Sequence, residues 1–174
     1  MVIYLYIEEM SMPLIGIVAK KKDIQAIKRK LNTMNCDIIE INKESINNLK
    51  HIKFDEIIFL QGINLQDKEY KCMREIISKV QYLVINADIG IETLKEIEIE
   101  KPIKLITFGF NSKATITISS VKEQKIIVCV QRNIETINKK IIESQEKEII
   151  INNIKSEKIY NELVVFIIKE LHNL

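Results

Sequence analysis

Short apolar runs alternate with longer amphipathic stretches over the first hundred residues. Leu14–Ala19 (LIGIVA), Asp37–Ile41 (DIIEI), Glu56–Leu60 (EIIFL) and Tyr82–Asn86 (YLVIN) are strand-length and rich in β-branched residues. Val2–Ile7 reads as a further strand at the start. Lys21–Thr33 sets Ile24, Ala26, Ile27 and Leu31 at helical spacing among lysines, and Asp67–Val80 puts Tyr70, Met73, Ile76, Ile77 and Val80 on one face. Glu44–His51 and Ile91–Ile97 predict two shorter helices. Strands without polar alternation belong in a sheet buried on both faces, as parallel sheets are. A strand–helix repeat joined by right-handed crossovers then places helices on both sides.

The pattern changes after Pro102. Lys104–Phe108, Ala114–Ser120 and Lys125–Gln131 read as three strands with turns between them, forming an antiparallel addition. Thr115, Thr117 and Ser119 alternate with Ile116 and Ile118, which predicts one wet face. Lys147–Ile151 is one more expected strand. Glu157–Leu171 closes the chain as a helix with Ile159, Tyr160, Leu163, Val164, Ile167, Ile168 and Leu171 inward. The expectation is one α/β domain: a mainly parallel, Rossmann-like or P-loop-like sheet with helices on both faces, plus a small antiparallel extension.

Composition sharpens this picture by exclusion. A chain of 174 residues with 47% hydrophobic content suffices for one domain with a real core. Charges of both signs are interspersed and the net charge is only +2, so neither a nucleic-acid nor a membrane partner is expected. No apolar run approaches the ~20 residues that span a bilayer. Met1–Met12 carries Glu8 and Glu9 and no basic region, unlike a secretory signal, so the cytoplasm is the expected location. Cys36, Cys72 and Cys129 are odd in number and sit in apolar surroundings, as small core residues of a reducing compartment do. Isoleucine supplies roughly a fifth of the chain, which fits an AT-rich genome and indicates no function.

Few residues offer chemistry. His51 and His172 fall at helix ends near lysines and read as solvated or capping groups. Gly16 stands alone, in neither a dinucleotide nor a Walker fingerprint. Asp55 precedes its strand instead of ending it, which argues against a receiver-like phosphoacceptor. Lys20, Lys21 and Lys22 follow the LIGIVA strand and open a helix, where open α/β sheets meet phosphate; the plainer reading is a solvated helix start. Asn86 and Asp88 follow the YLVIN strand at the same sheet edge. There they can hold a base edge and a ribose hydroxyl, or else form a turn and cap the helix near Ile91. Thr115, Thr117, Ser119, Ser120, Gln131 and Arg132 can line an anion site or form an exposed sheet face.

Tyr82–Asp88 (YLVINAD), then Leu105–Phe110 (LITFGF), then Ala114–Ile118 (ATITI), together resemble the central domain of the Mur ligases, the ATP-dependent ligases of bacterial cell-wall synthesis. That family shares the order of a strand ending in Asn-Ala-Asp, a strand ending in Thr-Phe-Gly, and antiparallel strands. The likeness covers roughly residues 54 to 120. The family's Gly-Thr-x-Gly-Lys-Thr/Ser phosphate loop is replaced here by Ala19-Lys20-Lys21-Lys22-Asp23, and its acidic and histidine positions by Gln61-Gly62-Ile63-Asn64. Its C-terminal ligand-binding domain has no counterpart in these residues. The resemblance implies a Mur-ligase-like central domain without ATP machinery. No catalytic residue and no cofactor is expected, and the expected partner is another protein or a second copy of the chain. The alternative is a nucleotide or small-molecule binding protein, an enzyme of unidentified reaction included, with its site at the carboxyl edge of the sheet, formed by Lys20, Lys21, Lys22, Asn86 and Asp88.

Overall fold

Six contiguous parallel strands make up one side of an eight-stranded sheet and reach its edge. The computed structural model describes residues 12–99, 101–151 and 155–174; the strand expected at Val2–Ile7 lies outside them. The strands are β1 (Leu14–Val18), β2 (Asp37–Glu40), β3 (Glu56–Phe59), β4 (Tyr82–Asn86), β5 (Lys104–Gly109), β6 (Ile116–Lys122), β7 (Lys125–Val130) and β10 (Gln145–Ile150), in the order β10-β7-β6-β5-β4-β3-β1-β2. Two short strands, β8 (Ile134–Glu135) and β9 (Ile141–Ile142), pair by themselves. The helices are α1 (Lys21–Leu31), α2 (Ile46–Leu49), α3 (Asp67–Ile77), α4 (Ile91–Glu96) and α5 (Ser156–His172). The fold is therefore α/β with a mostly parallel sheet.

Strand alternation sends side chains into two separate cores. On one face Ile15, Ile17, Ile58, Val84, Ile106, Phe108, Ile126 and Val128 meet α1 and α5. On the other, Val18, Ile57, Phe59, Leu83 and Ile85 meet α2, α3 and the end of α4. Helices thus cover both faces, as the apolar strands require. The second core draws no buried residue from β5, β6, β7 or β10 among the described residues. Among the described residues no helix covers the second side of that half of the sheet, where Leu105 is 48% and Ile150 73% exposed.

The run at Lys104–Phe108 departs from the antiparallel expectation. It becomes β5, parallel to β4 over five registered positions from Tyr82↔Lys104 to Asn86↔Phe108. β6 is also parallel to its neighbour, through Phe108↔Ile116 and Gly109↔Thr117. The antiparallel extension begins with the β6–β7 and β7–β10 pairs. The reason is the intervening loop, which returns the chain beside β5 without reversing it. Two threonines hold that return: Thr115 N donates to Thr107 Oγ1 at 2.9 Å, and Thr107 N donates to Thr115 Oγ1 at 3.3 Å. The wet face predicted for these positions is mostly dry, since Thr115 and Thr117 are buried. A bulge between Ile118 and Ser120 then breaks the alternation.

Candidate functional site

The carboxyl ends of β1 and β4 carry Lys20, Lys21, Lys22, Asn86 and Asp88, the residues expected to form a ligand site. Lys20 stands in extended conformation before α1, exposed, and its carbonyl accepts from the amides of Asp23 and Ile24. Lys21 and Lys22 are exposed in the first turn of α1. Asn86 and Asp88 lie at the end of β4, with β3 between β4 and β1.

Asn86 is fully buried and serves the backbone. Its amide nitrogen donates to the Leu60 carbonyl at 3.2 Å, bridging β4 to the end of β3, and its Oδ1 accepts from Asp88 N at 3.0 Å. This local ring is the turn that Asn favours after a strand. The helix cap expected of this group does not form. Gly90 precedes α4 and no side chain caps that helix. The cause is direction, because the Asp88 carboxylate turns across the sheet edge toward β5. Its Oδ2 accepts from Phe110 N at 2.6 Å and its Oδ1 from Asn111 N at 3.0 Å.

Gly109 permits that clamp. Its φ of +146° lies where side chains are strained, and a Cβ built there would fall on the Asp88 carboxylate.

The N-terminal turns of α5 complete the edge. Tyr160 donates its hydroxyl to Asp88 Oδ2 at 3.0 Å, and its ring stands edge-on to Phe110 with centroids 5.6 Å apart. The next residue, Asn161, donates from Nδ2 to Asp23 Oδ1 at 3.1 Å, in the first turn of α1. Two neighbouring residues of α5 thus tie the end of β4 to the start of α1. Burial first, and then the Asp88 carboxylate, push the Tyr160 phenol up to about 12. Sequence periodicity placed Tyr160 among inward residues but carried no sign of this partner, 72 positions away.

The remaining candidates are dispersed. The Thr115 and Thr107 hydroxyls lie 3.2 Å apart, Gln131 donates from Nε2 to the Ser112 carbonyl at 2.9 Å, and Arg132 is exposed. Thr107, Thr115 and Gln131 serve the loop after β5. His51 is exposed beyond α2, whereas His172, expected to be solvated or capping, is buried at the end of α5. The cysteines are free, with Cys72 buried and Cys36 and Cys129 half-buried. Among the described residues no group of three or more His, Cys, Asp or Glu is placed to hold a metal ion, and no helix is long and apolar enough to cross a membrane.

A concavity of about 510 Å³ lies away from this edge, where the end of α3 meets the segment after α4. Ile77, Val80, Ile97 and Pro102 line it, and Arg74 and Glu98 pair at 3.3 Å at its side. No family model matches the chain, and no curated protein matches its sequence.

Proposed function

We propose that this chain is a non-catalytic module, similar to a Mur-ligase central domain, that acts by binding another protein or a second copy of itself. The observation that carries this reading is the engagement of the carboxyl edge by the protein's own α5. In open α/β sheets that edge is where a ligand enters. Here Tyr160 and Asn161 reach across it, and Asp88 spends both carboxylate oxygens on the loop after β5. A nucleotide would have to displace these contacts, and no glycine-rich loop precedes α1 to receive its phosphates.

A docking surface is available elsewhere. The helix-free side of β5, β6, β7 and β10 presents Leu105 and Ile150 with half-buried Ile127 and Cys129 between charged neighbours. An apolar centre with a polar rim is the composition of a protein interface.

The competing reading, a nucleotide site using Lys20, Lys21, Lys22, Asn86 and Asp88, is tested by thermal denaturation with magnesium–ATP and other nucleotides. A ligand at one hundred times its dissociation constant stabilises by about 2.7 kcal/mol. The module reading predicts no shift and no hydrolysis. ATP turnover abolished by Lys21→Ala would replace it with the enzyme reading. Sedimentation of the wild type against a Leu105→Lys, Ile127→Lys variant tests self-association through the helix-free side. Wild-type self-association lost in the variant is the expected result for a second copy as partner.

A further inference from the structure

Glu56 and His172 form a buried ionisable pair at the opposite, amino edge of the sheet. Glu56 opens β3 and is fully buried; His172 ends α5 with its side chain 2% exposed. The His172 Nε2 lies 3.4 Å from Glu56 Oε1, and neither Glu56 oxygen nor that nitrogen has a hydrogen-bond partner among the described residues. The sequence separates them by most of the chain, and neither takes part in the module's proposed binding surface.

Most of the charged groups around this pair, among the described residues, are engaged with other partners. In the sheet Glu56 is flanked by Ile15 and Tyr82. The Tyr82 hydroxyl donates to the Glu135 carbonyl at 2.6 Å and accepts from Lys104 Nζ at 3.2 Å, and Lys104 itself pairs with Glu135 at 2.7 Å. The preceding Asp55 accepts from the Leu14 amide. From the start of β2, Cys36 and Asp37 face this region; burial, then Asp37, then Glu56 push the Cys36 thiol up. Along α5, Glu170 is held by Lys147 and Glu162 by Lys30, while Lys169 is only half-buried.

We propose that Glu56 and His172 hold one proton between them and act as a proton-sensitive latch fastening α5 to the sheet. With one proton the pair is neutral overall. A second proton leaves a buried imidazolium without a counter-charge, and loss of the proton leaves a buried carboxylate without one; both are costly in an apolar interior. Docking of α5 is therefore strongest in the pH window where the undocked groups together also carry one proton. Below that window the undocked state takes up the additional proton, so docking weakens as pH falls. Above it the undocked state has released its proton, so docking weakens as pH rises.

The test is urea denaturation of the full chain from about pH 4 to about pH 9, with Glu56→Gln, His172→Gln and the double variant alongside. Relative to the double variant, the wild-type folding constant should rise and then fall, by up to about tenfold per pH unit on each limb. His172→Gln leaves a lone carboxyl, so its stability should fall steadily as pH rises. Glu56→Gln leaves a lone imidazole, so its stability should rise with pH. Opposite slopes in the two single variants support the latch; parallel profiles across all four proteins overturn it. If a single variant does not fold, the wild type against the charge-free double variant decides, with hydrogen exchange of the α5 amides as readout. A protection ratio between the two that does not change with pH overturns the proposal.

Discussion

Tyr160 on α5 and Asp88 at the end of β4 meet at 3.0 Å, and through them the C-terminal helix closes the carboxyl edge of the sheet. The same carboxylate holds Phe110 and Asn111, so one side chain fastens a strand end, a loop and a helix.

Asp88→Ala should therefore destabilise the protein with no ligand present. Each hydrogen bond to a charged group contributes about 1.5 to 3 kcal/mol when well shielded, and less at an exposed carboxylate such as this one. A loss of about 2 kcal/mol is expected in urea denaturation, with faster hydrogen exchange at Phe110 and Asn111. An Asp88→Ala protein of unchanged stability would refute the clamp.

Gly109→Ala tests the same contact from the other side. The added Cβ meets the Asp88 carboxylate and forces a residue into φ near +146°. The cost should exceed the usual ~1 kcal/mol of a point substitution. Because much of it comes from the clash with Asp88, the double variant with Asp88→Ala should cost less than the two single changes added. Additive costs would show that backbone strain alone is responsible.

Alkaline titration reads Tyr160 directly. A phenol near pH 10 in the unfolded chain and about 12 in the folded one contributes stability that is complete below about pH 10 and lost as pH rises toward 12. Ultraviolet difference spectra should show a late-ionising tyrosine that Tyr160→Phe removes. Tyr70, raised chiefly by its hydrogen bond to Glu96, should persist in that variant.

Adjacent residues of β5 should respond in opposite ways. Ile106 is 3% exposed beneath α5, and Ile106→Ala should cost about 2 to 4 kcal/mol through lost burial and a cavity. Leu105, on the helix-free side, should tolerate Leu105→Ser within about 0.5 kcal/mol. Equal costs in thermal or urea denaturation would mean that side is covered.

Cys36 reports on the amino edge. Its thiol is pushed up first by burial, then by Asp37 and Glu56, so alkylation should require a higher pH than a free cysteine. Glu56→Gln removes one of those charges and should speed Cys36 alkylation at a given pH, measured by peptide mass spectrometry. An unchanged rate would place Glu56 too far away to matter.

Periodicity alone was enough for the fold class and for most of the elements among the described residues, although the two-residue strands β8 and β9 left no such signal. The unbroken apolar runs of β1, β3 and β4 imply burial on both faces, and the spacing of Ile24, Ile27 and Leu31 implies one buried stripe on α1; the structure buries those residues. Such patterns report how wet each side of an element is, which is a local property of the chain. Strand direction is not local in this sense. β5 and β6 look like hairpin members in sequence, yet a threonine-stapled loop returns them parallel. The polar partnerships are less local still. Asp88 reads equally well as a cap, a ribose ligand or a clamp until Gly109, Phe110 and Tyr160 are brought beside it. His172 reads as a solvated helix end until α5 lies over β3 and covers it with Glu56. Hydrophobic spacing, written into each segment, therefore determined the layers by itself. The tertiary structure alone decided what each polar group does, because a hydrogen bond or an ion pair needs a partner within about 3 to 4 Å, and only the packed fold supplies it.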